Sequence, residues 1–209
     1  MKKLLFIESS PRGNESSSTN LARKLIGDLL ERDSTWQVDH MDLWTEELPP
    51  MSGPTVSAKY AVFSGEPLSA EQDKAWSAVV NCIDRFCAAD LVLMAVPMWN
   101  FGIPYVLKHF VDVVTQPRLT FTWTPQDGYK TLLPPRRAII ISSSAGDYSV
   151  GSGNEHNDFQ LRYLTAWLKI YMGCQVDSIS VSPTIADPDT VKAAALAARR
   201  RAEELVRGI

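Results

Sequence analysis

No apolar stretch in this chain is long enough to span a bilayer. The short run Leu4-Leu5-Phe6-Ile7 that follows Met1-Lys2-Lys3 is too brief for the core of a signal peptide. Cysteine is scarce. Cys82, Cys87 and Cys174 are odd in number, lack CxxC spacing, and have no histidines placed to complete a zinc site. A disulfide scaffold and a structural metal are thereby excluded, and buried thiols in a reducing cytoplasm are expected. An excess of one charge is also missing: the formal net charge is -3, with 21 Lys and Arg against 24 Asp and Glu. Both signs are spread along the chain, so there is no electrostatic footprint for nucleic acid or for a membrane surface, and neither is expected as a partner. Absent too are GxGxxG and GxxxxGK[ST], which removes the main support for a dinucleotide fold or a P-loop. With no reactive cysteine pair and no metal cluster, redox chemistry would need a borrowed cofactor.

What is present is an alternation of short apolar runs with longer helical periods, the pattern of buried parallel strands covered by helices. The 209 residues and 45% apolar composition suit one domain over 1–209. Strands are predicted over 3–8, 36–43, 91–96, 137–142 and 175–181, and helices over 17–32, 69–87, 103–114, 158–172 and 189–207. Arg118 to Thr124 alternates as a short exposed strand or hairpin arm. Trp44 to Pro67, rich in Pro, Gly and Ser, is read as an excursion too long for an ordinary connection. Such alternation implies right-handed crossovers. The expected fold class is α/β, a doubly wound five-stranded parallel sheet of order 2-1-3-4-5 with helices on both faces. Ligands then bind outside the carboxyl ends of strands one, three and four.

Three loops leave those ends. The first, Ser9-Ser10-Pro11-Arg12-Gly13-Asn14-Glu15-Ser16-Ser17-Ser18, leads into a helix. N–H groups at a helix start, joined by hydroxyls, can cradle a phosphate, although Ser and Asn also favour such places as plain caps. The second, Pro97-Met98-Trp99-Asn100-Phe101-Gly102-Ile103-Pro104, carries two large rings and an amide. It suits a flat apolar ligand with polar edges, or the rings belong to the core. The third, Ser142-Ser143-Ser144-Ala145-Gly146-Asp147-Tyr148, has small residues that let backbone approach a ligand. A serine hydrolase using Ser143 or Ser144 with His156 and Asp158 is disfavoured by the missing GxSxG elbow.

Over nearly its whole length, from the strand leading into SSPRGNESSS to the terminal helix, the chain resembles the FMN-dependent NADH-azoreductase family of flavodoxin-like proteins. The most specific match is PMWNFGIPYVLKHFVD, from Pro97 to Asp112; RLTFTWT from Arg118 and AIIISSSAG from Ala138 follow in the same order. The resemblance implies FMN, with its phosphate at Ser10, Ser16, Ser17 and Ser18. Its ring would lie on Met98, Trp99, Asn100 and Phe101, and its pyrimidine edge along Ser143, Ser144, Ala145 and Gly146. The family often has Arg and a second Gly in the third loop, where this chain has Ser144 and Ala145 and then Asp147. The resemblance further implies NADH or NADPH as co-substrate, quinone or azo acceptors reduced by ping-pong hydride transfer, and a homodimer whose partner chain helps wall the site. A flavodoxin-like electron carrier and a flavin-binding regulatory module are the alternatives, separable by whether the protein consumes NAD(P)H steadily with a quinone.

Overall fold

A computed structural model describes all of residues 1–209. Its central sheet joins β1 (Lys2–Glu8), β2 (Trp36–Asp42), β3 (Leu91–Pro97), β6 (Arg136–Ser143) and β7 (Cys174–Val181), all parallel, in the order β2-β1-β3-β6-β7. Between β3 and β6 in the chain, β4 (Phe121–Thr124) and β5 (Gly128–Thr131) form a separate antiparallel hairpin. The five long strands thus occupy the 2-1-3-4-5 arrangement once that hairpin is left out of the count.

The three inner strands are apolar because both their faces are covered. Their side chains sort by alternation. Leu4, Phe6, Leu91, Leu93, Ile139 and Ile141 pack with Ala22, Leu25 and Leu29 of α1 (Ser17–Arg32) and Ala198, Ala202 and Leu205 of α6 (Pro188–Arg207). Leu5, Ile7, Val92, Met94, Ala138 and Ile140 point the other way. They meet Val79 and Phe86 of α3 (Ala70–Cys87), Phe110 of α4 (Tyr105–Val114), and Leu164 and Trp167 of α5 (Phe159–Ile170). The edge strands β2 and β7 interleave polar residues because only part of each is covered. No helix is long and apolar enough to cross a membrane.

Helix starts follow local chemistry. Ser69 and Gln72 form a complete capping box before α3, while Asp158 and Asp187 cap α5 and α6. Pro104, with extended backbone, delays α4 to Tyr105, two residues later than its apolar period suggests.

The segment from Trp44 to Pro67, read as an excursion, contains a helix that the sequence reading did not place: Gly53–Ser64 is α2, closed by Gly65 in the left-handed conformation at φ 73°. Its buried face consists of Thr55, Ala58 and Ala61, so small residues let it lie close to α3, while Tyr60 and Phe63 face outward. An apolar period carried by alanines and a threonine leaves little signal in the sequence.

Candidate functional site

Loop one is strapped to the sheet at its first residue, where the Ser9 N–H and Oγ both donate to the Ala95 carbonyl, at 3.1 and 2.9 Å. Ser16 then caps α1, its Oγ accepting from the Thr19 N–H at 3.3 Å and sharing a hydrogen bond with Ser18 Oγ. Asn20 N–H reaches the Ser16 carbonyl, so the Ser17 and Ser18 N–H groups are the free donors of the first turn. Ser10, Ser16 and Ser18 are buried, and Ser17 is exposed. Beside them the Thr19 hydroxyl is buried with no partner in the chain. Unpaired N–H groups at a helix start are the donors that an acceptor-rich ligand requires.

A brace behind this loop escaped the sequence reading. Arg23 donates to Asn14 Oδ1 in the loop and to the Glu8 carboxylate at 3.2 Å, and His40 Nε2 lies 3.0 Å from the same carboxylate. Glu8 is only 2% exposed, so its charge is satisfied by these groups rather than by water. His40 thus serves as a structural post. Trp44 adds a second tie, its Nε1–H donating to the Ser9 carbonyl at 3.0 Å. Neither post was legible, because each joins residues from separate strands and loops.

Loop two is a tight turn. Trp99 and Gly102 exchange backbone hydrogen bonds of 3.0 and 2.8 Å, and Asn100 and Phe101 between them have φ of 49° and 66°. Two consecutive positive φ values are the signature of a type I′ turn, comfortable for Asn and costly for Phe. The turn is fixed at both ends: Met98 N–H donates to the Ser143 carbonyl at 2.7 Å, and Phe159 N–H to the Phe101 carbonyl at 3.1 Å. Of the two readings left open for the rings, core or surface, the structure puts both at the surface, Trp99 36% and Phe101 46% exposed. Trp99 clusters with Trp44 and Tyr105, at 5.8 and 6.4 Å between centroids, and Phe101 meets Tyr148 edge-on at 6.2 Å.

Loop three turns its carbonyls away from this centre. Thr184 N–H donates to Ser144 O at 2.9 Å and Ile185 N–H to Ala145 O at 3.1 Å, whereas the N–H groups of Ala145 and Gly146 donate to nothing else in the chain. Ser143 and Ser144 are buried and Ala145 is exposed. The hydrolase reading finds no support here. Ser144 Oγ donates to the Gly146 carbonyl at 2.9 Å, and the Asp158 carboxylate accepts from the Leu161 N–H at 2.8 Å, so neither is engaged with His156.

The profile of the flavodoxin-like fold family matches residues 2–206. The chain belongs to this family. Among flavodoxin-like relatives, an FMN-dependent NADH:quinone oxidoreductase of Ruegeria pomeroyi is 41% identical over 190 residues, 90% of this chain and 93% of that protein. One of the same name from Desulfotalea psychrophila is 38% identical, covering 90% of this chain and 88% of its own. The fold is shared with a solved azoreductase of Bacillus anthracis, at TM-score 0.90 and 23% identity over the whole of both chains. It is also shared with an FMN-dependent NADH-azoreductase of the same species in complex with FMN, at TM-score 0.83 and 22% identity, over 99% of this chain and 100% of that one. In flavodoxin-like sheets the ligand crevice lies outside the carboxyl ends where the strand order reverses. Here that place is between β1 and β3, and the three loops described above surround it.

Proposed function

We propose that the chain is an FMN-dependent NAD(P)H oxidoreductase that reduces quinones and azo compounds, acting as one domain over residues 1–209, as a cytoplasmic homodimer. The observation that carries this reading is the meeting, at the switch point of the sheet, of a phosphate-type donor set with solvent-facing rings. The names of the relatives point the same way.

The residues present fit FMN. The Ser17 and Ser18 N–H groups and the hydroxyls of Ser10, Ser16 and Ser18 match a phosphate's many acceptors without a cation. Met98, Trp99, Asn100 and Phe101 would hold the ring system, its apolar face against the aromatic side chains and its polar edge against Asn100. The free N–H groups of Ala145 and Gly146 would donate to the pyrimidine edge, where negative charge gathers on reduction. Ser143 and Ser144 fix that loop from beneath.

When bound, FMN supplies reversible two-electron chemistry. The protein's own part is to present one open face, wall it with Trp99, Phe101 and Tyr105, and keep backbone donors aimed at one edge. With a single open face, nicotinamide and acceptor exclude each other and must bind in turn. No side-chain acid or nucleophile is required for a hydride step, and water can protonate the product.

Two experiments test the proposal. The absorption spectrum of the purified protein, with chromatography of any released flavin, should identify FMN. Steady NADH consumption with a benzoquinone should follow; FMN binding without turnover would instead favour an electron carrier or a regulatory module.

A further inference from the structure

A groove of about 710 Å³ opens between loop three and α5, next to the proposed cofactor site. Tyr148 is the wall they share. Its ring meets Phe101 on one side, lies 3.5 Å from where a Cβ on Gly146 would stand, and lines the groove on the other. Leu161 and Ala166 supply apolar surface, and His156 and Arg162 supply donors.

Among the side chains that line the groove, Arg162 is the cation left without a carboxylate partner. Asp158 caps α5, and the Glu155 carboxyl is lowered from its usual value, chiefly by its own backbone N–H. Arg12, the cation of loop one, pairs with Glu15. Arg162 donates only to the His156 carbonyl, at 3.4 Å, and has no carboxylate partner. A guanidinium fork beside a ring-lined groove matches the chemistry of a diphosphate joined to a purine: the fork meets phosphate oxygens, and the rings meet the base.

We infer that this groove receives the adenosine diphosphate half of the nicotinamide co-substrate, with Arg162 on the diphosphate and Tyr148 and His156 against the adenine. The inference rests on the nicotinamide-dependent reading above. It explains how a chain without a GxGxxG motif holds a dinucleotide: the nicotinamide end enters the open site, and the far end lies outside it across Tyr148.

The test uses FMN-loaded protein, a fixed quinone, and two hydride donors, NADH and reduced nicotinamide mononucleotide, which lacks the adenosine half. Arg162→Ala should raise KM for NADH about tenfold or more, as expected for loss of a charge-assisted hydrogen bond, with kcat held. KM for the mononucleotide and the affinity for FMN should not move. Arg162→Lys, which keeps charge but not the fork, should fall between. A KM for NADH unchanged in Arg162→Ala, or raised equally for both donors, overturns the groove assignment. If wild-type protein oxidises neither donor, the functional reading itself fails, and the two failures are told apart.

Discussion

Ser16 carries two duties, and a single substitution removes both. As N-cap it stabilises α1, and its loss to Ala should cost about 1 kcal/mol of folding stability. As one of several phosphate donors it contributes a neutral hydrogen bond worth about 0.5–1.5 kcal/mol. Ser10→Ala or Ser18→Ala should therefore weaken FMN binding by no more than about tenfold, with little change in stability, while all three together should weaken it far more. Fluorescence titration decides; wild-type affinity in the triple variant would place the phosphate elsewhere. Cys174 illustrates the opposite case, a buried group with no place at the site. Burial pushes its thiol from the usual 9.0 up to about 11, with nearby Arg136 opposing. Because the folded-state value is raised, this residue's contribution is intact below pH 9 and is lost as pH rises towards 11. Cys174→Ala should flatten that decline in urea-unfolding midpoints measured against pH, and the native thiol should resist labelling at neutral pH. A wild-type and variant pair declining identically would refute the assignment.

Among the elements, the turn of loop two stores the clearest strain. Phe101 holds φ 66°, a conformation that Gly adopts freely and Phe adopts only when its surroundings impose it. Phe101→Gly removes a ring but relieves the backbone, so the melting temperature should change by only a few degrees while FMN affinity drops. A large loss of stability with affinity kept would return Phe101 to a core role. This strain was not legible beforehand, because Asn-Phe is not a customary I′ pair and only the reciprocal Trp99 and Gly102 bonds reveal the turn. The inner strands, by contrast, were readable because burial on both faces leaves continuous apolar runs such as Leu91 to Val96. Helix α2 was not, since its contact face is Thr55, Ala58 and Ala61. The second arm of the hairpin, Gly128–Thr131, was likewise missed: it is short and half polar, and it holds its place through Tyr129 against Tyr171 at 4.8 Å and through pairing with β4.

At the scale of the molecule, the order of the loops along the chain was enough to place them at one end of a parallel sheet, since β1, β3 and β6 run side by side in the same direction. What ties one loop to the next was not legible, because Trp44 against Ser9 and Trp99, and the Met98 N–H on the Ser143 carbonyl, act through tertiary contacts. The outward Tyr60 and Phe63 of α2 and Trp123 and Tyr129 of the hairpin supply apolar surface for the proposed homodimer. Light scattering at micromolar concentration should give twice the chain mass, and a monomer would count against an assembled site with two walls. The central claim, that one open cofactor face serves both substrates in turn, is tested most directly by anaerobic titration of the FMN-loaded protein. NADH alone should bleach the visible flavin band completely at one equivalent per flavin, and benzoquinone added afterwards, with NADH consumed, should restore it at one equivalent. A band that NADH alone leaves unbleached, while NADH is consumed once quinone is added, would contradict the account.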